Sequence, residues 1–240
     1  MNKEEFIKYT SEELGVNLSN DQINKLDFYC QFLIKTNENV NLTAIKTENE
    51  IYLKHFFDSL TITKTIDLSK ISTLIDIGTG AGFPGMVLKI VFPHLKLTLL
   101  DSNNKKINFL KELSEKLEIS DINFYNGRAE EFVKNNRESF DMVTARAVSN
   151  LSLLSELCLP LTKVNGYFVP MKGANNEEID DAMYAIELLG GKVEKIDNFK
   201  LPIEESVRNI IAIKKEKTTP AKYPRRYEKI LKNPLKKNVK

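Results

Sequence analysis

The sequence predicts an α/β fold, a mostly parallel seven-stranded sheet covered by helices and preceded by a helical N-terminal cap. Three observations carry that prediction. The first seventy residues show only helical periodicity, residues 71–214 alternate short β-rich runs with helical patterns, and the first of those runs enters a glycine-rich turn, "DIGTGAGFPG". Strand, turn and helix in repetition are the signature of βαβ units around a parallel sheet.

Taken in order, residues 3–14 form an amphipathic helix. Ser19 then reads as an N-cap, Gln22 completes a capping box, and Ile23, Leu26, Cys30 and Leu33 recur at helical spacing. A third helix covers 48–66. Beyond it the period shortens. "STLIDI", "LKLTLLD", "DINFYN" and "FDMVTARA" are four strands, alternating with helical patterns at 84–92, 103–117 and about 150–160. "GYFVPMKG" supplies a fifth, with Pro170 close to its end. A helix at 176–189 stops at Gly190-Gly191, and "KVEKIDNFKL" and "VRNIIAIKK" are near enough to pair as an antiparallel hairpin at one end of the sheet. The expected organisation is a helical cap at 1–70, a cofactor-binding domain at 71–214 and a basic tail at 215–240.

Composition narrows the function. The 240 residues, 42% of them hydrophobic, suffice for one filled core with a small appendage. No run of 18 apolar residues exists and the N-terminal stretch is charged and amphipathic, so no membrane is expected and the location expected is cytoplasmic. Cys30 and Cys158 are far apart, and with only His55 and His94 beside them no metal site is expected. Both cysteines read as buried hydrophobes, and His94 as a surface loop residue. The absence of an apolar heptad stripe points to a monomer. Net charge of +2 conceals a tail from Lys214 onward carrying +9 against −7 for the remainder. Such a tail is either a contact for nucleic-acid phosphates or a solvated, frayed end.

Gly78, Gly80 and Gly82 follow the first strand, where an open α/β sheet binds its ligand outside the carboxyl ends of the strands. Asp101 ends the second strand 21 residues after Gly80, placed to accept hydrogen bonds from both hydroxyls of a ribose. A dinucleotide fingerprint requires Gly or Ala as its sixth residue, and Phe83 stands there. The spacing G-x-G-x-G, with Asp76 ahead of the turn, instead resembles the first motif of the class I S-adenosylmethionine-dependent methyltransferases, whose fold is Rossmann-like. Without a pyrophosphate to cradle, a bulky residue at 83 is expected to pack near the methionine or adenine part of the cofactor.

The remaining motifs are more specific. "NVNLTAI", "HFFDSL", "IDIGTGAGFPG", "LLDSNNKKINFL", "GRAEEF", "FDMVTARAVSNL" and "MKG" resemble, in order and spacing over residues 20–214, the bacterial small-subunit rRNA methyltransferase G family, also called glucose-inhibited division protein B. That resemblance implies methyl transfer from S-adenosyl-L-methionine to N7 of one guanine in the decoding-region loop of 16S rRNA, on naked rRNA or a small ribosomal subunit precursor. It also implies cofactor contacts at Gly78, Phe83, Ala129, Glu130 and Arg146, beside Gly80 and Asp101 of the turn. "KYPRRYEKILKNPLKK" resembles the Tyr-Pro-Arg-rich ending of some members but lacks a Gly-x-Pro step after the arginines.

The implied chemistry needs no general base, because N7 of neutral guanine carries a lone pair and no proton; holding the reactants in line is the main task. Arg146 suits the cofactor carboxylate, an RNA phosphate, or an acid on the sheet rim. Arg128, Arg146 and Lys172 fall in loops expected after strands and, with Arg225 and Arg226 of the tail, are the RNA-binding candidates. Asn41, His55 and Asp58 either build a guanine pocket or tie the cap to the sheet.

Overall fold

The computed structural model describes residues 1–146, 149–173 and 177–236. Residues 147 and 148 of "TARAVSN", the expected helix start at 176 and the last four residues of the basic tail lie outside the described residues. Helix α1 (Lys3–Leu14) opens with an Asn2/Glu5 capping box and closes on Gly15 in the left-handed conformation. In α2 (Asn20–Asn37) the expected box forms, the N–H of Gln22 donating to Ser19 Oγ and the N–H of Ser19 to Gln22 Oε1. Both boxes satisfy N–H groups that have no partner inside the helix.

The third helical stretch starts as α3 (Glu48–Glu50), runs as a π-helix over Ile51–Phe57, ends as α4 (Asp58–Leu60), and passes into a 3₁₀ turn at Thr61–Lys64. Its π-helical part buries Ile51, Tyr52, Leu53, His55, Phe56 and Phe57. A segment enclosed this fully is set by its packing more than by helix propensity.

Among the described residues seven strands follow: β1 (Thr73–Ile77), β2 (Lys96–Asp101), β3 (Ile122–Asn126), β4 (Phe140–Arg146), β5 (Thr162–Gly173), β6 (Gly191–Lys200) and β7 (Val207–Lys215). Their order is β3-β2-β1-β4-β5-β7-β6. The first five are parallel, and β7 runs antiparallel to both β5 and β6. The expected hairpin forms, but its later strand is inserted between β5 and β6. Residue chemistry explains the inversion. Ile210, Ile211, Ala212 and Ile213 of β7 are all buried, as an inner strand covered on both faces requires, whereas the charged β6 is mostly exposed and blunts the edge.

Side chains alternate between two cores. Leu74, Leu99, Met142 and Ile210 face the cap with α5 (Gly85–Val91) and α6 (Asn104–Lys116), while Ile75, Val143, Phe168 and Ile211 face α7 (Ala129–Asn136), α8 (Leu151–Cys158) and α9 (Glu177–Leu188). The cap thus shares one hydrophobic core with a face of the sheet. Helix α7 is absent from the sequence prediction, as is α10 (Tyr227–Lys232) in the tail. Cys30 and Cys158 are fully buried, and His94 is exposed beside the carbonyl of Leu68.

The basic tail is not a frayed end over its described length. Tyr223 and Ile230 are buried in the second core, and Arg137 donates to the carbonyls of Thr219, Pro220 and Tyr223. Arg225 reaches the fully buried Glu156 with a bidentate pair, Nε to Oε1 at 2.8 Å and Nη2 to Oε2 at 2.6 Å. Apolar side chains among the cations of this segment give it a face to bury, which its net charge conceals.

Candidate cofactor and substrate site

Strand order reverses between β1 and β4, and the carboxyl ends of β1, β2, β3 and β4 meet there. Gly78 (φ 68°) and Gly80 (φ 60°) adopt the left-handed conformation open to glycine. The N–H groups of Gly78 and Thr79 donate to the carbonyl of Leu100 at 2.8 and 3.1 Å, and that of Gly80 to Asp101 Oδ2 at 2.9 Å. The turn is therefore clipped to the end of β2. Asp76 clips it from inside, its Oδ2 accepting from Thr79 Oγ1 and from the N–H of Gly85. Burial pushes the Asp76 carboxyl up to about 6, against the opposing pull of those two hydrogen bonds. At Gly82 the constraint is space, since a Cβ would lie 2.5 Å from the Tyr29 hydroxyl and 2.7 Å from Leu110.

The turn floors a cavity of about 460 Å³. Gly78, Gly80, Phe83, Asp101, Ala129, Glu130 and Arg146, assigned to the cofactor from sequence, all line it, as does Arg128. Ala129 and Glu130 begin α7, and no side chain caps that helix. Thr43, Lys106 and Tyr227 also line it and escaped the sequence reading. Lys106 follows Asp101 closely and was within reach of a local reading. Thr43 and Tyr227 come from the cap and the tail, and only the tertiary fold brings them in.

Phe83 does more than line the cavity. Its ring packs into the cap interface, stacked on His55 at 4.0 Å and on Tyr29 at 5.4 Å between centroids, with the Arg146 guanidinium 5.3 Å from its centre. A bulky residue here serves first to bind the turn to the cap, and it is 5% exposed.

Arg146 joins β4 to the third helical stretch. It donates from Nη1 to the carbonyl of Lys54 at 2.9 Å and to Asp58 Oδ2 at 3.1 Å, and from Nη2 to His55 Nδ1 at 3.0 Å. Guanidinium cannot accept, so His55 Nδ1 is the acceptor and its Nε2–H donates to Thr43 Oγ1 at 3.0 Å. Burial, reinforced by the Arg146 charge, drives the imidazole pKa down to about 3 and keeps it neutral. Asp58 Oδ1 accepts a second arginine, Arg208, at 3.1 Å. His55 and Asp58 therefore tie cap to sheet, whereas Asn41 is exposed and does not line the cavity.

His55 and Arg146 also border a second cavity of about 360 Å³, lined further by Lys54, Asp58, Lys172 and Arg208. Lys172 is held inside, 2.8 Å from Glu178 and within reach of the Ser149 carbonyl. Among the cations assigned to RNA from sequence, Arg146, Lys172 and Arg225 are thus engaged in internal ion pairs, and Arg128 and Arg226 are exposed. Among the described residues no cluster of three potential metal ligands occurs, and no helix is long and apolar enough to cross a membrane.

Known proteins resemble this chain over most of its length. A family model described as rRNA small subunit methyltransferase G matches residues 22–209. The chain is 53% identical over 229 residues to the ribosomal RNA small subunit methyltransferase G of Bacillus cytotoxicus, covering 94% of this chain and 95% of the relative. The same-named protein of Bacillus thuringiensis (strain Al Hakam) is 52% identical over the same shares. Among solved structures, M. capricolum TrmK, in complex with S-adenosyl-homocysteine, aligns with a TM-score of 0.52 at 19% identity over 69% of this chain and 70% of that one. A SAM-dependent methyltransferase from Aquifex aeolicus gives 0.50 at 19% identity over 68% and 92%. These structures share the fold.

Proposed function

The chain belongs to the rRNA small subunit methyltransferase G family, and we propose accordingly that it transfers a methyl group from S-adenosylmethionine to N7 of one guanine in the decoding-region loop of 16S rRNA. The observation that carries this reading is the pair of cavities meeting at His55 and Arg146, one floored by the glycine turn and the other rimmed by the cap.

The residues of the larger cavity suit the cofactor. Asp101 offers carboxylate oxygens for ribose hydroxyls, the uncapped start of α7 offers N–H groups for an adenine edge, and Gly78 and Gly80 leave the backbone open to close approach. S-adenosylmethionine supplies an activated methyl on its sulfonium. The protein has only to hold a nucleophile against it, and its residues are arranged for holding. His55 is neutral with both ring nitrogens engaged, so it removes no proton. Arg146, bonded three times to the cap, is a positioning residue that fixes the wall between the cavities.

The exposed Arg128 and Arg226 are the cations we assign to RNA phosphates, and Lys172 to the rim of the base cavity. The partner is then 16S rRNA or a small ribosomal subunit precursor, the target guanine entering unstacked, and the location is the cytoplasm. The test is to incubate the protein with radiolabelled S-adenosylmethionine and unmodified 16S rRNA or small subunits, then to map label by cleavage at N7-methylguanine. Label on a single guanine is expected. Intact cofactor binding with no label on either RNA would overturn the substrate.

A further inference from the structure

We infer that the segment 219–232 is part of the cofactor site, with Tyr227 as the aromatic wall at its nucleoside end; this rests on the cofactor reading above. Tyr227 lines the 460 Å³ cavity beside Gly127 and Arg128 of the loop that follows β3 and Ala129 and Glu130 at the start of α7. The Arg128 guanidinium lies 4.9 Å from the centre of its ring. A separate cavity of about 620 Å³ is bounded by the same Arg128, Glu130 and Tyr227 together with Arg225 and Arg226. The Arg128–Tyr227 pair is therefore a partition between the two spaces.

What makes this partition a built feature is its anchoring. Two residues before Tyr227, Arg225 holds buried Glu156 through its backbone N–H and two guanidinium nitrogens. Three residues after it, Ile230 is fully buried. Tyr227 is thus fixed on both sides, and a ring fixed before binding costs little ordering when a flat ligand stacks on it. A purine nucleoside is the chemistry that such a wall suits, because every base presents a π-face.

The test measures the affinity of S-adenosylhomocysteine by calorimetry for wild type, Tyr227→Leu, Tyr227→Ala and Tyr227→Phe, with thermal midpoints alongside. Loss of about tenfold in affinity is expected for Leu and Ala, the order found for removing one ring from a base stack. Phe should retain wild-type affinity, and all midpoints should stay near wild type. Wild-type affinity in Tyr227→Leu would overturn the inference, as would equal losses in all three variants accompanied by lowered midpoints. A wild-type protein that fails to bind S-adenosylhomocysteine would overturn the cofactor assignment instead.

Discussion

His55 is the residue where burial, charge and hydrogen bonding meet. Its folded pKa lies below its unfolded one, so the stability it contributes is complete above about 6.5 and is lost as pH falls toward 3. Urea unfolding of wild type and His55→Gln at pH 7.5, 6 and 5 should therefore show the wild-type advantage shrinking with acid. Asp76 has the opposite sign, since a carboxyl raised to about 6 costs stability as pH climbs from about 4 to 6. Asp58 binds two arginines from a site only 4% exposed, and Asp58→Ala should cost about 2 kcal/mol or more in chemical denaturation, by leaving both cations unpaired. Spacing alone made Gly78, Gly80 and Asp101 legible, because turn and acid are local signals. The commitment of Arg225 to Glu156 was not, because a cation read in sequence carries no sign of a partner 69 residues away, nor was that of Lys172 to Glu178, which sits on a different element.

Among the elements, periodicity located every strand and most helices, the two-turn α5 and α8 included, to within a few residues. It missed α7, α10 and the winding of the third helical stretch. Nothing in "IYLKHFF" distinguishes a π-helix from an α-helix. The α10 segment hid its two buried apolar residues, Tyr223 ahead of it and Ile230 within it, among cations. Glu156→Ala tests how firmly that segment is held. It should cost about 3 kcal/mol, the scale for breaking a buried ion pair, and weaken S-adenosylhomocysteine binding with it. At the turn, Gly82→Ala drives a methyl into Tyr29 and Leu110 at a positive φ. A fall in thermal midpoint together with weaker cofactor binding is the expected result.

On the scale of the whole molecule, the cap is an integral half of a core that includes Leu74, Met86, Leu99 and Met142. Removing it would expose that face of the sheet. Far-ultraviolet circular dichroism and tyrosine fluorescence should then trace one coincident urea transition for the full chain, as expected when cap and sheet cannot fold apart. Two separated transitions would show the cap to be an independent unit. The docked tail adds an order of events to this unity. Every strand precedes Tyr227 in the chain, so during synthesis the sheet, the glycine turn and the cap emerge before the segment that walls the nucleoside end. A nascent chain can thus pair its strands and pack its cap while the second core still lacks Tyr223 and Ile230 and the cavity is still open beside Tyr227; on the inference above, the cofactor site is completed only when this segment docks.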